Sequence, residues 1–174
     1  PTRTGVIHIL RAMGADIALL NEREQGGEPV ADIRVRHAQL KGIEIDPAHV
    51  PLAIDEFPVL FVAAANADGI TTLSGAEELR VKESDRIQVM ADGLRTLGVD
   101  AEPLADGMRI RGGAYSGGRI DSAGDHRIAM AFAIAALRAK GDVEIDDCAN
   151  VATSFPGFVA LAQQAGLRIS EAAV

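Results

Sequence analysis

The sequence predicts an α+β fold made of repeated units, with buried helices surrounded by short sheets: roughly two units, plus a final helix. Three observations point there. Helical segments recur that end alike, alternating strands follow two of them, and one helix in each copy is apolar nearly all round.

In chain order, Val6, Ile9, Leu10 and Met13 keep the three-and-four spacing of a helix face and run into Gly14-Ala15-Asp16. A glycine there suits the left-handed residue that ends a helix. Thr2 and Thr4 stand at its head as expected caps. Asp32-Ile33-Arg34-Val35-Arg36 alternates as a strand. Asp55 precedes the apolar stretch Phe57 to Ala65, which implies a fully buried helix, and Gly69 to Leu73 reads as a turn and strand.

The second copy repeats this order. Ile87, Met90, Leu94 and Leu97 run into Gly98-Val99-Asp100, and Gly107-Met108-Arg109-Ile110-Arg111 alternates. Arg111 to Gly118, though glycine-rich, matches no dinucleotide or phosphate-loop pattern and reads as a strand-to-strand loop. Asp125-His126-Arg127 precedes a second apolar helix, Ile128 to Leu137, and Gly141 to Ile145 is the matching turn and strand. Phe158, Leu161 and Ala165 then run into Gly166, with Ser154-Phe155-Pro156 as the expected helix start. The repeat boundaries are therefore placed near 1–83 and 84–152, and a terminal helix is expected over 155–166. Loops of different length explain why the copies are not evenly offset.

Composition narrows the functional classes. The 174 residues are 48% apolar and 24% charged, with a net charge of −8. That balance argues against a nucleic-acid surface. An anionic ligand would have to be held by a few placed cations. Cys148 is the only cysteine, so no disulfide framework or thiolate metal cluster is expected, and it reads as a small buried hydrophobe in a cytoplasmic protein. The longest apolar run, Ile128 to Leu137, is too short to span a bilayer. His8, His37 and His49 lack metal-ligand spacing and read as surface or packing residues. The opening Pro1-Thr2-Arg3-Thr4-Gly5 reads as the lip of a helix, which suggests a piece of a longer protein.

Two places resist a purely structural reading. Arg80 to Arg86 puts three cations and two acids between a strand and a helix. A solvated charged turn would explain it, and so would a site for a ligand bearing both phosphate and carboxylate. Arg offers such groups paired donors, Lys a point charge, and Glu a proton relay. Arg127, beside Asp125 and His126, opposes the dipole at a helix start. It could snorkel or pair with Asp125, yet such local conflicts tend to mark functional sites.

Leu79-Arg80-Val81-Lys82-Glu83-Ser84-Asp85-Arg86 closely resembles the signature of the 5-enolpyruvylshikimate-3-phosphate synthase family. Asp125-His126-Arg127-Ile128-Ala129-Met130 and Thr153-Ser154-Phe155-Pro156 resemble two further blocks of that family, in the right order. The resemblance runs over essentially the whole chain. It implies the enolpyruvyl transferase-like α/β prism of βαβαββ units, with this chain as most of the C-terminal domain and an N-terminal domain as its partner. It also implies the reaction: the enolpyruvyl group of phosphoenolpyruvate moves to the 5-hydroxyl of shikimate 3-phosphate and phosphate leaves, a shikimate-pathway step of aromatic amino acid biosynthesis. No cofactor, metal, nucleic acid or membrane is expected.

Carried over by position, Asp55 matches the acid near the 5-hydroxyl, Glu83 the acid near the enolpyruvyl methylene, and Lys82 the lysine beside the intermediate. Arg86 and Arg127 match the arginines that grip phosphoenolpyruvate. His126, with Asp125, has a supporting place. Where many members carry lysine before Thr-Phe-Pro, this chain has Thr153, so no phosphate-binding lysine is assigned there. The related transferase acting on UDP-N-acetylglucosamine differs at both charged blocks. A non-catalytic repeat module would not need Asp55, Lys82, Glu83, Arg86 and Arg127 to converge, so convergence is the discriminating observation.

Overall fold

The computed structural model describes residues 3–171. Thr2, an expected cap, lies outside them. The first copy opens with helix α1 (Gly5–Ala12), followed by a hairpin of β1 (Asp16–Gln25) and β2 (Glu28–Arg36). Residues 40–45 then run beside 68–72 in parallel, bridged at Lys41–Asp68 and Glu44–Thr72. Helix α2 (Phe57–Ala65) crosses between them and β3 (Ile70–Leu73) closes the unit.

The second copy has the same parts. Helix α3 (Arg86–Thr96) leads into the hairpin of β4 (Asp100–Leu104) and β5 (Gly107–Arg111). β6 (Gly118–Asp121) and β7 (Val143–Asp146) pair in parallel around helix α4 (His126–Ala135). Parallel strands need such a crossover, which is why a helix separates them in both copies. β5 also pairs with β3, so the two copies share one sheet in the order β3-β5-β4.

Helices α2 and α4 pack together inside this frame, as their all-round apolar sequences require. Phe57, Leu60, Phe61, Ile128 and Phe132 are all at most 2% exposed. Each such side chain stabilises the fold by about 1.5–3 kcal/mol on burial. Gly14, Gly98 and Gly166 take positive φ (96°, 86° and 96°) and end their helices, where any side chain would be strained. Tyr115 pins the loop between β5 and β6: its hydroxyl donates to the Val62 carbonyl and accepts from Asn66 Nδ2.

Several expectations need correction. The stretch Asp16 to Gln25, unassigned by pattern, is the longest strand, and β4 and β6 were also unread. Of the expected helix over 155–166 only α6 (Phe158–Gln164) forms, and an unexpected helix, α5 (Ala149–Ser154), precedes it. They are separated at Gly157, whose φ of 83° cannot continue a helix, so Ser154 ends one helix and opens none. Cys148 is half-buried instead of buried, and its thiol faces the Ile145 and Asp146 carbonyls.

The duplication also exposes an asymmetry. Asp16 pairs with Arg36 as Asp100 pairs with Arg111, so Ile33 and Val35 correspond to Met108 and Ile110. The latter two are 1% exposed, whereas Ile33 is 58% and Val35 64% exposed. β5 lies between two strands; among the described residues β2 has only β1.

Candidate active site

Asp55 sits in a single 3₁₀ turn, Ile54–Glu56, directly before α2. No side chain there caps the helix. The carboxylate is instead the meeting point of the chain's charged blocks. Arg86 Nη1 lies 3.3 Å from it, Arg127 Nη2 3.5 Å and Lys82 Nζ 3.9 Å. Arg127 also donates to the Asp55 backbone carbonyl at 3.2 Å. Arg127 thus pairs with Asp55, and Asp125 meets it only through the backbone N–H.

Arg3 was not anticipated. Its guanidinium pairs with Asp55 at 2.6 Å and with Glu56 at 3.2 Å, across 52 positions of sequence. No motif or periodicity marks it, because the contact exists only once α1 is docked beside the 47–56 segment.

The Arg80 to Arg86 segment separates into two functions. Arg80 is structural: it donates to the Leu104 and Ala105 carbonyls and pairs with Asp85 at 2.7 Å, tying the link to the β4–β5 turn. Asp85 caps α3 by accepting from Gln88 N at 3.0 Å. Between these anchors the chain is extended at Lys82, which projects Lys82 and Glu83 towards Asp55 and Arg86.

Arg86 is wholly buried and held by three carboxylates: Asp125 at 2.8 Å, Glu83 at 2.6 Å and Asp55 at 3.3 Å. Asp125 is equally buried. It caps α4 through Arg127 N at 2.9 Å and Ile128 N at 3.5 Å, and accepts from Ser84 Oγ at 3.1 Å. Two left-handed residues, Ala123 (φ 52°) and Gly124 (φ 67°), make the reversal that aims it from β6 into α4. An alanine in that conformation is strained, as is common where a side chain must be placed. His126 is half-buried and takes no part in the described hydrogen bonds of this cluster. Asp55, Lys82, Glu83, Arg86 and Arg127 therefore converge, while His126 stands beside them.

Burial alone would push the Asp55 carboxyl up. The hydrogen bond from Arg3 and the charges of Arg127, Arg3 and Lys82 outweigh it and hold the group below the ordinary carboxylate range. Asp125 is similar: burial opposes ionisation, but Arg86, the Arg127 N–H and Ser84 hold its carboxyl low. A folded pKa below the unfolded value contributes stability that is full above the unfolded pKa and is lost as pH falls through the folded one. Unfolding free energy should therefore decline as pH drops below roughly 4, the ordinary carboxylate value. Denaturant unfolding at stepped pH should show this decline, and a shallower one in Asp125→Asn; an equal decline would remove Asp125 as a source.

The chain is similar to known proteins over nearly its whole length. The family model for EPSP synthase (3-phosphoshikimate 1-carboxyvinyltransferase) matches residues 1–161. A 3-phosphoshikimate 1-carboxyvinyltransferase of Methylococcus capsulatus is 70% identical over 169 residues, covering 97% of this chain and 39% of that protein. One from Legionella pneumophila is 61% identical, covering 98% of this chain and 40% of its own length. The solved EPSP synthase of Acinetobacter baumannii superposes with a TM-score of 0.93 at 56% identity, over 96% of this chain and 40% of that one. The chain thus spans about two-fifths of the length of the curated relatives it matches.

Proposed function

Because the chain belongs to the EPSP synthase family, we propose that it supplies the acid/base and phosphoenolpyruvate side of an enzyme that moves the enolpyruvyl group of phosphoenolpyruvate onto the 5-hydroxyl of shikimate 3-phosphate, releasing phosphate. The observation that supports this is the convergence of three separate blocks, 55, 82–86 and 125–127, on one partly open carboxylate.

The reaction needs two proton-handling groups on different atoms and cations on a carboxylate and a phosphate. The 5-hydroxyl loses a proton and its oxygen attacks carbon 2, while carbon 3 takes up a proton. Phosphate then leaves as a proton is removed from carbon 3. Asp55 takes the hydroxyl proton in this reading. At rest it is a weak base, since its cations hold it ionised. When ligand phosphate and carboxylate draw on Arg127 and Lys82, that restraint loosens and its basicity rises. Glu83, with a side chain 53% exposed, exchanges a proton with the methylene carbon, and Lys82 stands beside Asp55. Arg86, wholly buried and paired with Glu83 and Asp55, would grip phosphoenolpyruvate only as those carboxylates give way.

No helix among the described residues is long and apolar enough to cross a membrane. The rest of the full-length enzyme is proposed to bring the shikimate 3-phosphate contacts. The chain alone should then turn over slowly or not at all in a phosphate-release assay. In a nuclear magnetic resonance titration, phosphoenolpyruvate should shift residues 55, 82–86 and 125–127. Shifts elsewhere, with these unmoved, would sink the site assignment.

A further inference from the structure

Every cation of the site already has a carboxylate partner. Arg3 faces Asp55 and Glu56, Arg127 faces Asp55, and Arg86 faces Asp125, Glu83 and Asp55. Lys82 faces Asp55 at 3.9 Å and is in closer contact with Glu78, one helical turn before it. These groups include one more carboxylate than cations. An incoming anion meets cations that already have partners, so its binding competes with the internal carboxylates.

The carboxylates differ in how readily they can leave. Asp125 is buried and caps α4. Asp55 is gripped by four cations, and Glu83 is shared with buried Arg86. Glu78 is different. Its side chain is 60% exposed, it stands on the short 3₁₀ turn Glu77–Val81, and Lys82 is its one described ion-pair partner. Turning it outward returns its charge to water at little cost, whereas Lys82 is only 23% exposed and cannot move as freely.

We propose that Glu78 is an internal counter-ion that occupies Lys82 in place of a ligand phosphate or carboxylate, and that it weakens anion binding until it swings away. Glu78 thus sets the affinity of the site without touching the reacting atoms. The proposal rests on the reading of this cluster as a phosphoenolpyruvate site.

The test measures calorimetric binding of phosphoenolpyruvate to the chain and to Glu78→Gln, with Glu77→Gln as control. Glu77 is the adjacent acid, exposed and absent from the described ion pairs, so its replacement changes net charge equally without freeing Lys82. An exposed ion pair of this kind corresponds to about a two- to five-fold change in affinity. The expected result is tighter binding by that factor for Glu78→Gln and little change for Glu77→Gln. Unchanged or weaker binding by Glu78→Gln, or an equal gain by Glu77→Gln, overturns the inference and leaves the site intact. Absence of binding by all three proteins overturns the site reading, and the inference falls with it.

Discussion

Asp125→Ala is expected to lower the unfolding free energy by about 3–5 kcal/mol, the usual cost of stripping one partner from a buried ion pair. Arg86 and Asp125 are both fully buried, at 2.8 Å. The substitution leaves the guanidinium with Glu83 and Asp55, whose side chains are 53% and 22% exposed and so more screened. It also uncaps α4 and leaves the Ser84 hydroxyl without its acceptor. Loss of a cap alone costs about 1 kcal/mol, and the two losses share atoms, so they do not simply add. Urea unfolding of the chain should show a lower midpoint at unchanged slope. A loss under about 1 kcal/mol would mean that the other two carboxylates suffice to hold Arg86.

Glu83→Gln is expected to slow a full-length enzyme carrying this segment by about 10²–10⁴-fold, the typical contribution of a positioned proton-transfer group. The amide can still accept from Arg86, so the arrangement around Asp55 and Asp125 should survive. What it cannot do is give or take a proton at carbon 3. Single-turnover rates should collapse while phosphoenolpyruvate binding stays near its original strength. If binding collapses and the rate per bound complex persists, Glu83 is a ligand-holding residue and the proton acceptor lies elsewhere.

Both expectations depend on Arg86, which the sequence presented as a cation for a ligand. Its place at the start of α3 was legible from the helix spacing of Ile87, Met90, Leu94 and Leu97. Its burial was not. That follows from α3 packing against α4, which brings Asp125 over the guanidinium from 39 positions away. Arg3 and Glu78 escaped notice for a related reason. Each is an ordinary surface-type residue until the fold sets it beside Asp55 or Lys82.

The local structure was readable where the chemistry was local. All-round apolar segments have no solvated face to offer, so α2 and α4 had to be interior. Glycines closing amphipathic runs could end helices, because the left-handed residue that terminates a helix needs the positive φ that glycine takes freely. Strands were harder. β1 and β4 carry no sustained alternation and exist because β2 and β5 pair with them.

The sequence by itself determined the duplicated α+β unit, the two interior helices and the identity of the charged blocks. It did so because apolar periodicity and helix termination depend on residues within a turn or two of one another. Only the tertiary structure decided which cations remain accessible, which carboxylates neutralise them, and that matching residues such as Val35 and Ile110 have opposite exposures. Those outcomes depend on partners remote in sequence, and Coulomb and burial energies are set by distance in space.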